Sequence, residues 1–331
     1  MPLSKRISFF IQFERGVRAI PYAEQVVPLA LIRRAIDYFY QTVAVVRNPA
    51  RRQTILNSVK EAIAAPMFLS AAGQMAWRAY LRSQNSYPRR PKRVAIVAHI
   101  YYPDLLDEIV ACWRACPPGT PLHITTQPRN ESEVQKQLAA TQGVVLHLHD
   151  NRGRDIAPFM AVLNSGALAN FDAVLKLHTK RSPHLPDGET RRRLLFAGLA
   201  GNHWQVNRIL SKFDNQTTGI VGWSKSYRNR SFYWMANKPH VMHLCRDMQP
   251  TTDIAVSFFE GSMFWFRPAA LEPLRSLHLA TEDFEPEEGQ TDGALHHAIE
   301  RVFNLSAVAA GYNVVSDTGQ TLIAAKADHL Q

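Results

Sequence analysis

At 331 residues, with 46% hydrophobic and 20% charged residues, the chain is long and apolar enough to bury at least one sizeable core, which excludes an intrinsically disordered protein. Its net charge of +10 is segregated: residues 1–93 hold 16 Lys and Arg against four acidic residues, a local charge of +12, and the remainder carries −2. An excess this localised points to an anionic partner for the N-terminal part, and the interleaved apolar residues (ISFFIQF, LALIRRAIDYFYQTVAVV) favour an anionic membrane surface over nucleic acid.

Glu14, Arg15 and Arg18 interrupt the first apolar run, and Arg33, Arg34 and Asp37 the next, so no stretch of ~20 apolar residues is available to span a bilayer and no signal peptide is read. The expected location is cytoplasmic, peripheral on the inner face of the cell membrane. Three helices are expected between Val26 and Leu81, with breaks at Asn48-Pro49 and Pro66. They suit either a helical cap packed on the main domain or a membrane-docking surface. Residues 1–82 therefore read as a basic helical segment, 83–93 (SQNSYPRRPKR) as a linker and 94–331 as the main domain. Cys112, Cys116 and Cys245 show no CxxC or Cys/His spacing and read as reduced, buried thiols of a cytosolic protein.

The main domain opens with a strand over Val94–Ala98, a helix over Asp104–Cys116 and a strand over Leu122–Thr126. A second strand-helix-strand unit follows: a buried strand at Val144–Leu148, a helix opening at Asp155 with Pro158 in its first turn, and a buried strand at Ala173–Leu177. In a parallel α/β sheet the residues after the strands gather at one edge, where ligands bind. Here that edge collects His99, Tyr101 and Tyr102, then Asn151, Arg152, Gly153, Arg154 and Asp155, then Lys176, His178, Lys180 and Arg181. The cations suit a diphosphate or carboxylate, Gly153 permits close backbone approach, and a tyrosine there stacks either on a base or on a neighbouring loop. Neither GxGxxG nor GxxxxGK[ST] is present, which argues against a nicotinamide enzyme and a P-loop NTPase.

Farther on, Ala197–Leu210 reads as helix and Gly219–Trp223 as a short strand. Trp223, Tyr233 and Trp234 then stand among basic residues, as sugar platforms or as part of an ordinary helical insertion. EGSMFWFRP reads as a buried strand flanked by a Glu260/Arg267 pair. An acidic loop with Glu285, Glu287 and Glu288 leads into a helix from Thr291 or Asp292 to Phe303, with His296 and His297 one turn in, and residues 314–325 suggest an edge strand.

The motifs AHIYYPDLLDE, NRGRDIAPF, LKLHTKRS, EGSMFWFRP and GQTDGALHHAIERVF together resemble the rhamnan synthesis protein F family over residues 94–312, and N-x-G-x-D opening a helix resembles the nucleotide half of a GT-A glycosyltransferase. The resemblance implies an α/β, GT-A-like (Rossmann-like) domain preceded by the helical segment. It implies an inverting glycosyltransferase that moves L-rhamnose, or a related deoxyhexose, from a dTDP-sugar donor onto a bacterial surface polysaccharide or lipid-linked acceptor. The donor would be bound by His99, Tyr101, the Asn151–Asp155 turn, Lys176, His178, Lys180 and Arg181, and the acceptor by Trp223, Tyr233 and Trp234. The GT-A comparison puts the acceptor base at Asp292, with Glu288 and then His296 as successors. Metal-dependent GT-A enzymes carry Asp-x-Asp where His178, Thr179 and Lys180 stand here, so no cofactor is expected to be required, with Lys180 or Arg181 neutralising the diphosphate. Asp150 and Asp155 are the candidate ligands should magnesium or manganese be used. The missing motif leaves open a catalytically inactive sugar-nucleotide or glycan-binding module. Nucleic acid is not an expected partner, because the charge excess lies outside the domain that bears the polar edge.

Overall fold

The computed structural model describes residues 65, 68–84, 86–181, 188–290 and 292–325. The first two expected helices lie outside the described residues; the third is α1 (Ala71–Ser83), which belongs to the same compact unit as the sheet. Next come β1 (Val94–Ile100), α2 (Leu106–Arg114), β2 (Leu122–Thr126), α3 (Glu131–Leu138), β3 (Val144–Leu148), α4 (Ile156–Asn164) and β4 (Ala173–His178). They are followed by α5 (Gly188–Ala200), α6 (His203–Leu210), β5 (Thr218–Gly222), β6 (Tyr227–Arg228), α7 (Lys238–Met248) and β7 (Phe258–Phe259). The last elements are β8 (Phe264–Phe266), α8 (Glu272–Arg275), α9 (Leu295–Ala309), β9 (Asn313–Ser316) and β10 (Thr321–Ile323).

Eight strands form one sheet in the order β10-β9-β5-β8-β4-β1-β2-β3, and β6 pairs with β7 apart from it. β3, β2, β1 and β4 run parallel, β8 lies antiparallel between β4 and β5, and β9 is parallel to β5. The architecture is mixed α/β around a mostly parallel, Rossmann-like sheet. All seven residues of β1 are buried, as its unbroken apolar run requires of a strand covered on both faces. Ala95 and Val97 join the core packed beneath α4, α7 and α9, whereas Ile96, Ala98 and Ile100 join the core beneath α2, α5 and α6. Trp265 of β8 is fully buried, and its indole N–H donates to Leu199 O at 3.0 Å.

Three expectations change. β3 is the edge strand rather than a buried one: it pairs only with β2, and Val145 and Leu148 are each 43% exposed. The helix expected from Asp292 starts at Leu295 and runs on to Ala309, because Gly293 takes a φ of 82° and Glu285 accepts from the Leu295 N–H at the helix start. Glu260 pairs with Arg228 instead of Arg267, whose guanidinium donates to the Thr218 and Phe213 carbonyls. The 83–93 stretch is tied down as well: Lys92 pairs with Asp214 at 2.7 Å, and the Arg89 and Arg93 N–H groups donate to Asp214 and Asp172. Nearby, Arg208 of α6 lies over the Trp77 ring of α1 at 5.6 Å.

Gly153 illustrates how the turn before α4 is built. Its φ is 59°, and a Cβ there would stand 2.5 Å from Phe284 Cδ1 and 2.7 Å from Ala157 Cβ. The close approach is therefore to the protein's own core rather than to a ligand. Gly153→Ala is expected to destabilise the domain by about 2–3 kcal/mol through backbone strain and overpacking, which a denaturant titration would read as a lowered midpoint.

Candidate active site

A cavity of about 330 Å³ opens at the carboxyl ends of β1 and β4, at the lower end of the size range for small-molecule sites. His99, Tyr101 and Tyr102 line it from β1, and Asn151, Arg154 and Asp155 from the turn before α4. Residues 178–181 line it from β4, Gly261 and Ser262 from the turn before β8, and His296, His297 and Glu300 from α9. The two strand ends are joined by Thr179, whose Oγ1 accepts from the Tyr101 and Tyr102 N–H groups at 3.0 Å each.

The floor is a buried charge cluster. Lys176, 1% exposed in the middle of an otherwise apolar strand, donates to Asp155 Oδ2 at 2.5 Å and to Ser262 O at 2.9 Å. His178 Nδ1 stands 3.2 Å from the same carboxylate oxygen, outside hydrogen-bonding geometry. Burial pushes the Asp155 carboxyl upward, but His178 and Lys176 outweigh it and hold the group well below the usual carboxylate range. Lys176 thus holds the site together from beneath and does not line the cavity. His99 shares a 3.0 Å contact with Thr125 Oγ1, and burial pushes its pKa down to about 3.

Two cavity groups are uncommitted among the described residues. Lys180 makes no hydrogen bond or ion pair through its ammonium there, although its carbonyl accepts from Arg192. His296 is 4% exposed with both ring nitrogens unpartnered, and burial, then the Arg154 charge, lower its pKa, leaving a neutral imidazole. Arg154, with a φ of 54°, is engaged: it donates to Glu287 at 2.9 and 3.2 Å and to Gln290 O at 2.5 Å. Arg181 pairs with Asp104 and lies over the Tyr102 ring at 4.8 Å. Asn151 accepts from Gln127 Nε2 at 2.6 Å.

Several residues singled out from sequence stand elsewhere. Arg152 donates to Phe284 O at 2.9 Å and is not in the lining. Asp292 accepts from the Ala236 N–H at 2.7 Å and from Asn237 Nδ2 at 2.5 Å, 3.9 Å from Arg301. Burial raises its pKa, but those hydrogen bonds and the Arg301 charge outweigh it and hold the carboxyl below its ordinary value. Neither Asp292 nor Glu288 lines the cavity. Trp223 packs on α5, where a Cβ on Gly198 would meet its ring at 2.5 Å; Trp234 packs on the core, and Tyr233 packs edge-on against Phe258. Sequence reasoning passed over Glu300, which accepts from Gly261 N at 3.2 Å and Ser262 Oγ at 2.9 Å. Its spacing four residues after His296 on one helix was the available signal.

The family model for rhamnan synthesis protein F matches residues 54–312. The chain belongs to that family. It is also 36% identical over 227 residues to WxcX of Xanthomonas campestris pv. campestris, strains B100 and ATCC 33913, a protein described as uncharacterized. That match takes in 67% of this chain and 32% of WxcX, so the chain spans about a third of the length of the curated relatives it matches. The family's description names rhamnan synthesis, a branch of polysaccharide biosynthesis. No helix among the described residues is long and apolar enough to cross a membrane.

The buried histidines of the chain should make its stability depend on pH. Burial lowers His99 to about 3 and His297 to about 4, so below the ordinary value of 6.5 the unfolded chain binds protons that the folded chain does not. Stability should therefore fall as pH drops from 6.5, with His99 alone contributing about 2 kcal/mol by pH ~5. Melting curves of the parent and His99→Gln between pH ~7 and ~5 check this: the variant's dependence should be flatter.

Proposed function

We propose that the sheet domain is a GT-A-type inverting glycosyltransferase that moves L-rhamnose, or a related deoxyhexose, from a dTDP-sugar onto a growing surface polysaccharide or lipid-linked oligosaccharide. The observation that carries this reading is the pairing, in one cavity at the strand ends, of an uncommitted cation, Lys180, with an uncommitted neutral base, His296. The acceptor hydroxyl attacks the anomeric carbon, its proton passes to His296, and the bond to the leaving dTDP breaks as Lys180 compensates the diphosphate charge. Tyr101 offers a ring for the base. This moves the base from Asp292, whose carboxylate is spent on Ala236 and Asn237, to the third of the sequence candidates. Trp223, Tyr233 and Trp234, which stand off the cavity, are not given the acceptor in this reading.

A divalent cation has poor ligands here. Asp155 is already neutralised by Lys176, and among the described residues no group of three or more His, Cys, Asp or Glu is arranged to hold a metal. The protein works at the cytoplasmic face of the membrane in this reading, with residues 1–82 held to anionic lipid.

Thermal-shift measurement against dTDP-, UDP- and GDP-sugars tests the donor assignment. The dTDP-sugar should stabilise the parent, and Lys180→Ala should bind it more weakly by ~1.5–3 kcal/mol, the size of a hydrogen bond to a charged group. Stabilisation by none of the three, or by RNA alone, sinks the reading.

A further inference from the structure

Between Trp223 and Arg246 the chain carries five Lys and Arg and no acidic residue, in a domain whose overall charge is −2. The Ser231–Trp234 turn leaves Phe232 52% exposed and Met235, at a φ of 49°, 61% exposed. Beside it, α7 buries Val241, Leu244, Cys245 and Met248 and turns Lys238, Met242, His243, Arg246 and one acidic residue, Asp247, outward, Met242 being 38% exposed. Lys225 and Arg230 are exposed on the same segment, and among the described residues Arg228 alone of its cations has an acidic partner, Glu260.

Exposed Phe and Met side chains on a segment that also exposes Lys and Arg are what an interfacial membrane anchor requires: the apolar tips enter the acyl boundary and the cations meet anionic headgroups. Among the described residues the Phe232 ring stacks only on its neighbour Tyr233, 4.1 Å away, and the Met235 sulfur accepts from Arg301 Nη2 at 3.7 Å. The turn is nonetheless held firmly from below. Arg301, adjacent to the cavity residue Glu300, donates to Tyr233 O at 2.9 Å, and Asp292 accepts from the Ala236 N–H at 2.7 Å. An exposed apolar tip on a fixed base loses little conformational freedom on insertion.

We propose that the Ser231–Met235 tip, with the outer face of α7, docks this domain on an anionic lipid bilayer, independently of the basic segment at residues 1–82. The hydrogen bonds through Arg301 and Asp292 then couple the docked tip to the helix that walls the cavity. Free phosphate or soluble acidic protein would meet the cations but not the apolar tips.

The test uses the full chain with Ser231→Cys carrying an environment-sensitive fluorophore, since the native cysteines are buried and Cys112 and Cys245 have thiol pKa values pushed up to about 12 and about 11. Vesicles of phosphatidylglycerol with phosphatidylcholine should blue-shift and brighten the label several-fold, and pure phosphatidylcholine vesicles should not. In co-sedimentation, Phe232→Ser/Met235→Ser and, separately, Arg230→Glu/Lys238→Glu should each weaken vesicle binding by roughly tenfold or more. An unchanged label spectrum on vesicle-bound protein, with both double variants sedimenting like the parent, would assign any membrane contact to another surface and overturn the proposal. Failure of the full chain to bind either vesicle would overturn it too, as would a label response to a soluble polyanion equal to that with vesicles.

Discussion

Lys176→Met is expected to cost the domain about 3–5 kcal/mol, the range for breaking one side of a buried ion pair. The ammonium is 1% exposed and bonded to Asp155 and to Ser262 O, so its loss strands a buried carboxylate and a buried carbonyl together. The two turns it joins, at Asp155 and Ser262, are both cavity walls. The pH dependence separates this cause from simple loss of packing. In the parent, Asp155 titrates well below its ordinary value, so the pair's stabilisation is present above pH ~4 and is lost only as pH falls through the lower folded pKa. In the variant the Lys176 charge and hydrogen bond no longer hold the Asp155 pKa down, so it rises toward its ordinary value and the stability deficit should shrink as pH is lowered. A deficit of under about 1 kcal/mol in denaturant titrations, or one that does not change with pH, would show that the pair does not carry the floor of the site.

His296→Gln should cut turnover by ~10²- to 10⁴-fold, the range for a positioned general base, while leaving the melting temperature and the dTDP-sugar affinity near the parent values. Glutamine keeps hydrogen-bonding capacity but takes no proton at neutral pH. The acid limb of the pH–rate profile, set by the lowered imidazole pKa, should disappear with it. Asp292→Asn is the companion measurement. Its carboxylate ties the chain ahead of α9 to Ala236 and Asn237, so the variant should lose some stability and keep turnover. A folded Asp292→Asn protein that binds donor and does not turn over would return the base to Asp292.

Much of the central sheet was readable because its strands are short segments rich in apolar and β-branched residues. VAIVAHI, LHITT and FWF are buried without exception, and the helix after β3 opens next to Asp155 as its turn chemistry indicates. What escaped the sequence was decided by partners far along the chain. VVLHL has the same run length as a central strand, and only its place beyond β2 makes it an edge. Lys176 read as one more cation at the ligand edge, because its partners Asp155 and Ser262 are 21 and 86 residues away. Asp292 has the look of a helix start, yet its carboxylate is claimed from 55 and 56 residues upstream. The α3 helix went unread because only Val134 and Leu138 in it are buried, too few to set a period.

The most direct test of the glycosyltransferase assignment is the release of dTDP from dTDP-L-rhamnose by the purified full chain, followed by mass spectrometry in excess chelator with a lipid-linked oligosaccharide or rhamnan fragment as acceptor. The account predicts dTDP and deoxyhexose-extended acceptor in equal amounts, without added metal and with both lost in His296→Gln. Donor that is bound yet recovered intact, with no extended acceptor at any metal concentration, would contradict it and leave a sugar-nucleotide-binding module in its place.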